Sequence, residues 1–154
     1  MACPGAVGLT YVVCMIAGFT PLVNAEIFLL VLAVGLSPPC APAVVLAAAV
    51  GQMTAKLCWY GAGSGLITLG QGRMRTRVEH TRAAAAQHPR LAAPVVLVSA
   101  VTGIPPFFFV SVASGAVRLG AARFLFIGLA GRAVRFGIVL AAPPLAREVV
   151  WGPA

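Results

Sequence analysis

The stretch VTGIPPFFFVSVASG, residues 101–115, is apolar throughout but is interrupted by Gly103, Pro105 and Pro106. Proline lacks a backbone N–H, and both residue types are unfavourable in the middle of a helix. In a bilayer, backbone groups released from a helix are tolerated only where protein or water lines them. We therefore predict that the chain turns back at this break and forms a helical hairpin whose tip borders a cavity. Two ordinary membrane helices with proline kinks are the alternative.

The composition makes a membrane the expected solvent of this hairpin. The 154 residues are 60% hydrophobic and 9% charged, with a mean hydropathy of +0.99, whereas a soluble domain carries roughly 25% charged residues. Too little polar surface remains to cover a water-soluble globule. Most of the basic residues behind the net charge of +8 lie between Arg73 and Arg123, next to apolar segments. This pattern indicates a cytoplasmic loop that attracts anionic headgroups, and no nucleic acid partner is expected.

A second break interrupts the first apolar stretch, residues 6–36, where FTPLVNAE brings Pro21, Asn24 and Glu26 together. The pieces on either side have about 10 to 15 residues, too few to cross a roughly 30 Å hydrocarbon core as a helix. We predict an all-α polytopic membrane protein with one membrane domain. Its segments are a re-entrant hairpin at 6–42, a transmembrane helix at 43–69, a basic cytoplasmic loop at 70–90, a second re-entrant hairpin at 91–117 and a transmembrane helix at 121–142 that Pro143 and Pro144 stop.

The two halves, each a broken hairpin followed by a helix, predict an inverted repeat, which is a recurrent plan of transporters. Aligning the two breaks puts Gly51 close to Gly131 and Lys56 close to Arg135. If residues 91–117 are re-entrant, one side of the membrane collects Arg73, Arg75, Arg77, Arg82, Arg90, Arg118 and Arg123. The positive-inside rule makes that side cytoplasmic.

Four charged residues within the apolar segments form the predicted substrate or ion site: Glu26, Lys56, Arg132 and Arg135. Each costs roughly 2.5 to 3.5 kcal/mol at a helix centre on insertion scales. One acid against three bases leaves about +2 in charge, and two arginines three residues apart suit a phosphate group. Glu26 could exchange a proton or compete for an arginine, and Arg135 is best placed to reach an interface. The structural alternative is that Glu26 pairs with one base and the other bases bond carbonyls at the hairpin tips.

The remaining residues predict packing and no catalysis. Close helix approach is expected at Gly51, Gly115, Gly128 and Gly131, and Gln52, Lys56, Trp59 and Gly63 share a helix face. The four cysteines are scattered without a CxxC pair, so we expect neither a disulfide nor a zinc site. His80 and His88 are expected in solvent. The sequence has no GxSxG, HExxH or P-loop motif, so we predict no enzyme activity, metal or cofactor.

Two stretches carry a family resemblance. FTPLVNAE before a spanning helix, and GIPPFFFVSVASGAVRLGAARFLFIGLAGRAVRF, resemble the DedA superfamily, also called VTT-domain or SNARE-associated membrane proteins. The second stretch is most similar to the small bacterial members, and the resemblance covers about residues 19–142. It implies two re-entrant hairpins in inverted repeat and lipid translocation: polyprenyl-phosphate recycling or phospholipid movement in bacteria, scrambling in eukaryotic relatives. An acid near the first hairpin matters in this family, and Glu26 is the matching position.

The second break departs from the family pattern. Larger bacterial members carry arginine on both sides of the proline of this hairpin, whereas Val101, Thr102 and Phe107 stand here. Phosphate contacts of that kind are therefore missing at this tip, and Arg132 and Arg135 are candidates to replace them.

We expect a bacterial inner-membrane lipid transporter or scramblase whose ligand is an anionic lipid headgroup. A chain of this length could form a homodimer to enclose a path. Two alternatives stay open: a membrane scaffold or assembly factor that transports nothing, and a proton-coupled small-molecule transporter with Glu26 as its proton site.

Overall fold

The computed structural model describes residues 3–20, 24–65, 73–87 and 89–151. These residues form α-helices and two short 3-10 helices, with no β-strand in the ranges described, so the predicted all-α class is confirmed. The α-helices are α1 Cys3–Phe19, α2 Ala25–Val34, α3 Ala41–Ser64, α4 Arg73–Ala86, α5 Ala92–Thr102, α6 Phe107–Ala116 and α7 Ala121–Trp151, and the 3-10 helices are Pro38–Cys40 and Pro89–Leu91.

Two helical segments are long and apolar enough to cross a membrane. They are Pro38–Ser64 and Ala121–Ala142. The predicted span 43–69 begins too late, because the 3-10 turn leads directly into α3. It also ends too late within the described part of the chain, where α3 stops at Ser64 and Gly65 takes a positive φ of 84°.

The second span differs at its end from the prediction. Residues 121–142 are helical as predicted, but α7 continues to Trp151 and Pro143 and Pro144 do not stop it. Proline fixes φ near −65°, close to the helical value, so its ring removes an N–H donor without forcing the chain out of helical dihedrals.

The chain divides into two compact units. Unit 1 comprises residues 1–52 and 133–154, and unit 2 comprises residues 53–132. Each unit therefore contains one pair of short helices, α1 with α2 or α5 with α6, together with a half of α3 and a part of α7. Both long helices contribute to both units.

In unit 1, the first break separates α1 from α2, as the sequence predicts. Asn24 is the N-cap of α2, and its side-chain oxygen accepts the backbone N–H groups of Glu26 at 2.9 Å and Ile27 at 3.3 Å. Such a cap satisfies donors that a new helix leaves open, so it favours a fresh start at Ala25. Pro21, the other predicted breaker, lies outside the described residues.

Helix α1 lies beside the first half of α3. Cys3 and Cys40 form a disulfide with a Cα–Cα distance of 5.7 Å. Further along, a Cβ at Gly51 would collide with the carbonyl oxygen of Tyr11, so the two backbones touch there. The expectation of unpaired cysteines is therefore wrong for this pair. Cys14, which is buried, and the exposed Cys58 are free thiols.

In unit 2, the second break is also confirmed. Gly103 ends α5 in the left-handed conformation with a φ of 81°, a cis peptide bond precedes Pro105, and Pro106 directly precedes α6. The Ser99 hydroxyl donates to the carbonyl of Pro105 at 2.5 Å. Left-handed backbone is unfavourable for residues with a side chain, so glycine is the residue that suits this position.

The chain reverses at this second break. Near the end of α5, Ala100 is the residue that a Cβ at Gly131 would meet. Just beyond α6, the carbonyl of Leu119 accepts the hydroxyl of Tyr60, and the Tyr60 ring stacks on Phe124 at 5.1 Å between centroids. Phe124 and Gly131 are about two turns apart on α7, so α5 and α6 run in opposite directions. Unit 2 therefore contains a helical hairpin.

Helix α4 carries the basic segment and packs against α6. Its Val78 is buried, whereas Arg73, Arg75 and Arg77 are exposed. Exposed Arg75 donates to Glu79 at 2.8 Å, and this hydrogen bond raises the pKa of Arg75. A short helix with exposed arginines is thus present in the predicted loop 70–90, and Val78 is buried on it.

Candidate functional site

Of the four charged residues singled out in the sequence, one pair lies in unit 1 and is of opposite sign. Arg135, on α7, donates from its Nε to the Oε1 of Glu26 at 2.7 Å, and its Nη2 contacts the same oxygen. The side chains of Glu26 and Arg135 are 35% and 20% exposed, so the pair is partly shielded. Glu26 also stands in the first turn of α2, where the helix dipole favours a carboxylate. Glu26 thus pairs with one of the three bases, Arg135, and whether Arg135 also reaches an interface stays a prediction.

The other pair lies in unit 2 and is of like sign. Lys56 on α3 is 8% exposed and Arg132 on α7 is 7% exposed. They are near enough for their positive charges to repel each other. The two helices are in contact nearby, where Met53 packs against Gly128. Both side chains are therefore almost fully enclosed by the protein.

The break of the second hairpin borders this like-charged pair. The guanidinium carbon of Arg132 lies 4.6 Å from the ring centroid of Phe107, the first residue of α6. A cation over an aromatic face is stabilised by the ring quadrupole. The preceding residue, Pro106, supplies no side-chain cap to α6. The first N–H groups of a helix carry partial positive charge, so this region combines two cations with the positive end of a helix.

Unit 2 has a single acidic residue in its sequence. Glu79 is the one acid in the sequence between residues 53 and 132. It lies on exposed α4, where it is hydrogen-bonded to Arg75. Lys56 and Arg132, the charged residues that the described structure buries in unit 2, are both positive.

The predicted four-residue site is thus divided. The structure brings Arg135 to Glu26 within unit 1 and Arg132 to Lys56 within unit 2. The two arginines thus have different partners, and the interpretation of both as one phosphate clamp stays a prediction. Residues three apart on a helix point about 60° apart, which is enough for each arginine to meet a different neighbouring helix.

Glycines determine how closely α3 and α6 approach in unit 2. A Cβ at Gly115 would collide with the carbonyl oxygen of Tyr60, and one at Gly63 would collide with that of Val112. Gly63 belongs to α3 and Gly115 to α6, so the backbone of each helix contacts a glycine of the other. Close approach was predicted for Gly115; Gly63 was singled out for its position on the polar face.

The other predicted packing glycines act in two ways. Gly51 admits backbone, as expected. Gly128 instead makes room for the side chain of Met53, and Gly131 for that of Ala100. The expected close approach of a second backbone at Gly128 is therefore wrong, because a flexible methionine fills the space there.

Gln52 adds a buried acceptor to the polar face of α3. Its side-chain oxygen is buried without a hydrogen-bond partner in the described part of the chain. It stands one helical turn before Lys56, so the two side chains share a face of α3. Buried acceptors are seldom left unsatisfied in proteins, and this oxygen is suited to receive a donor from a bound molecule or water. In the sequence, the signal for Gln52 is its position on the same helix face as Lys56.

The remaining polar residues behave as packing elements. The hydroxyls of Ser111 and Ser114 each donate at 2.7 Å to a carbonyl one turn earlier. His80 is exposed, and His88 lies outside the described residues. No cluster of three metal-ligating side chains occurs within the described ranges.

Comparison of the chain with protein-family models, with curated proteins and with solved structures gave no match. The resemblance to the DedA superfamily therefore remains a prediction from the two quoted stretches. A functional proposal has to depend on the geometry of the two charge pairs.

Proposed function

We propose that the protein is an integral membrane lipid transporter or scramblase of the DedA type. It moves an anionic lipid, a phospholipid or a polyprenyl-phosphate-like molecule, across the bacterial inner membrane. The observation that carries the proposal is the like-charged pair of Lys56 and Arg132, buried in unit 2 beside the break of the second hairpin. Two buried charges of the same sign repel each other, so an anion that binds between them is favoured.

An anionic headgroup is the ligand that best fits this chemistry. A phosphate would attract both cations and lower their mutual repulsion. Arginine and lysine are the usual phosphate-binding side chains, the former through a planar set of donors. The uncapped start of α6 adds backbone donors of the kind that bind phosphate at helix N-termini. Larger bacterial DedA proteins carry arginines at the break itself; in this proposal Lys56 and Arg132 take over that role.

The lengths of the short helices support re-entrant hairpins in this proposal. Helices α5 and α6 have 11 and 10 residues, which is about 15 Å each and half of a hydrocarbon core. Irregular backbone at membrane depth must line protein or water, and a lipid headgroup needs such a lined path. The exposed arginines of α4 then lie on the cytoplasmic side. The same holds for the exposed arginines at the open end of the second hairpin, which are Arg90, Arg118 and Arg123.

Glu26 and Arg135 have a different role in the proposal. Their ion pair holds Arg135 away from the ligand until Glu26 is protonated or an anion competes with it. A proton-coupled small-molecule transporter would also need a group such as Glu26 that binds and releases a proton. Such a transporter is therefore the second candidate function. A homodimer remains compatible with either.

Lipid movement in proteoliposomes tests the proposal. Fluorescent phosphatidylglycerol and a polyprenyl phosphate are compared with phosphatidylcholine, whose headgroup has no net charge, for wild type, Lys56→Gln and Arg132→Gln. Wild type is expected to move the anionic lipids faster than phosphatidylcholine. In each variant the ratio of these two rates is expected to fall at least about tenfold, which corresponds to ~1.4 kcal/mol. Arg73→Gln is the matched control, because it removes the same charge from an exposed position of the same unit.

Three other outcomes point elsewhere. If folded wild type moves no lipid, the scaffold or assembly role is favoured. If Lys56→Gln and Arg132→Gln match wild type while Glu26→Gln abolishes transport of a small molecule driven by a proton gradient, the second candidate is correct. Equal losses in Arg73→Gln would mean that overall charge, and no buried site, governs the rate.

A further inference from the structure

The disulfide of unit 1 stands at one end of a membrane-length segment. Cys3 begins α1, and Cys40 ends the 3-10 turn that leads into α3. Cys40 is 6% exposed, and its sulfur accepts a hydrogen bond from the hydroxyl of Ser37 at 3.2 Å. The bridge therefore ties the open end of the first hairpin, where α1 begins and α2 has just ended, to the start of a spanning helix.

Disulfide chemistry assigns a compartment to that end. Disulfides form and persist outside the cytoplasm and are rare in the reducing cytosol. The 24 residues of α3 extend for about 36 Å, so its two ends emerge on different sides of a roughly 30 Å hydrocarbon core. The end at Ser64 is followed in the sequence by the basic segment that begins at Arg73. The positive-inside rule places that segment in the cytoplasm, and the disulfide lies at the other end of α3.

We infer that Cys3 and Cys40 are an oxidation site for a disulfide-bearing oxidant outside the cytoplasm, and that the open end of the first hairpin faces that compartment. Cysteine chemistry and charge distribution are independent signals, and both give the same orientation. The inference requires that α3 crosses a membrane. It does not require that the protein transports lipid.

The oxidation follows thiol–disulfide exchange. Cys3 is the more accessible thiol of the pair, so its thiolate attacks the disulfide of the oxidant and forms a mixed disulfide, releasing one oxidant sulfur as a thiolate. The thiolate of Cys40 then attacks the Cys3 sulfur and displaces the second oxidant sulfur. The two thiols of the protein give up two protons and two electrons, and the oxidant leaves as a dithiol after taking up two protons.

Thiol counting tests the oxidation. Cys14→Ser/Cys58→Ser retains the proposed pair, and Cys3→Ser/Cys40→Ser is the matched control that retains the two free thiols. Membranes are acid-quenched, denatured and treated with a maleimide-polyethylene glycol. The first variant is expected to show no gel shift before reduction and a double shift after it, and the control a double shift in both conditions. A double shift of the first variant before reduction would overturn the oxidation.

Orientation is tested by adding one reporter thiol to Cys14→Ser/Cys58→Ser, which keeps the bridge intact. Gly5→Cys lies near the bridge and Gly120→Cys lies beside Arg118; both glycines are exposed, with open space where a Cβ would stand. In spheroplasts, a membrane-impermeant maleimide is expected to label the first at least tenfold faster than the second. Permeabilisation should remove the difference. The reverse order, or equal labelling of both in intact spheroplasts, would overturn the orientation whether or not lipid moves in proteoliposomes.

Discussion

Units 1 and 2 have the same construction but different electrostatics. Each contains two short helices on either side of a break, packed on parts of α3 and α7. In unit 1, a partly exposed acid and base form a neutral ion pair, Glu26 with Arg135. In unit 2, Lys56 and Arg132 are both positive and more deeply buried. A common packing plan therefore carries one region whose charges satisfy each other and one whose charges repel.

This difference separates a structural use of charge from one that favours binding. The two charges of an ion pair neutralise each other without a ligand. Removing either member leaves the other charge unpaired in an apolar environment. A like-charged pair gains from any anion that enters. The packing around the two pairs is comparable: Gly51 admits the backbone of Tyr11 in unit 1, and Gly131 admits Ala100 in unit 2. The contrast lies in charge, and the predictions below test it.

The largest effect is expected from disrupting the packing of unit 2 alone. Gly115→Leu forces a side chain into the carbonyl of Tyr60 on α3, and neither backbone can yield without separating α3 from α6. We expect a loss of about 3 kcal/mol or more in the free energy of unfolding, measured by thermal unfolding in detergent. Gly8→Leu is the control in an apolar helix with open space. Equal Tm values for the two variants would contradict the close α3–α6 contact.

Reduction should weaken unit 1 and leave unit 2 unchanged. The Cys3–Cys40 bridge closes a segment with a sequence separation of 37 residues, and losing such a bridge costs typically about 2–4 kcal/mol. Hydrogen exchange with and without reductant is expected to show faster exchange in α1 and unchanged exchange in α5 and α6. Cys3→Ser/Cys40→Ser should behave like the reduced protein and stop responding to reductant. Faster exchange in α5 and α6 as well would show that the units do not unfold separately.

Neutralising one charge in each unit should change stability in opposite directions. Glu26→Gln leaves Arg135 without its carboxylate and is expected to lower the free energy of unfolding by about 1–3 kcal/mol, less than for a fully buried pair because both groups are partly exposed. Lys56→Met removes a repelling charge and is expected to raise it by about 1 kcal/mol. Thermal unfolding of both variants in one detergent measures the two signs.

Exposed Arg75→Met provides the reference for a charge change without burial. Its expected effect is within about 0.5 kcal/mol, because surface ion pairs contribute little. Destabilisation by Lys56→Met to the same extent as by Glu26→Gln would remove the distinction between the two units and favour the scaffold role.

The smallest effect concerns the start of α2. Asn24→Ala removes the acceptor for two backbone N–H groups and should cost about 1 kcal/mol. Asn24→Asp keeps an acceptor and should remain within a few tenths of a kcal/mol of wild type. Hydrogen exchange in the first turn of α2 gives the measurement. A loss for Asn24→Asp equal to that for Asn24→Ala would mean that the cap does not define the break of unit 1.

The breaks were predictable from the sequence because they depend on local backbone chemistry. Gly103 takes the left-handed conformation that ends α5, and Asn24 caps α2 through neighbours two and three residues away. The end of α7 was not predicted, since proline in a helix has more than one outcome. The charge pairs were not predictable in the same way. Arg132 and Arg135 are three residues apart, and their partners depend on which helices pack beside α7.

The disulfide had a signal in the sequence that was overlooked. A hairpin at 6–42 brings its two ends together, and Cys3 and Cys40 stand at those ends. The absence of a CxxC motif argues against a local zinc or redox site. It does not bear on cysteines that are distant in the sequence and that the fold brings together. The predicted hairpin therefore implies the disulfide, because the two cysteines are close only if the two ends of the hairpin are close.

The reciprocal glycines of α3 and α6 have an evolutionary consequence. Gly63 admits Val112 and Gly115 admits Tyr60, and both positions already carry the smallest residue that exists. Any substitution at either position can only push the two backbones apart, and no change in the other glycine can compensate, because neither has a side chain left to lose. Mutation can therefore relax this contact but cannot tighten it, so a lineage that loses either glycine has to rebuild the interface with wider spacing.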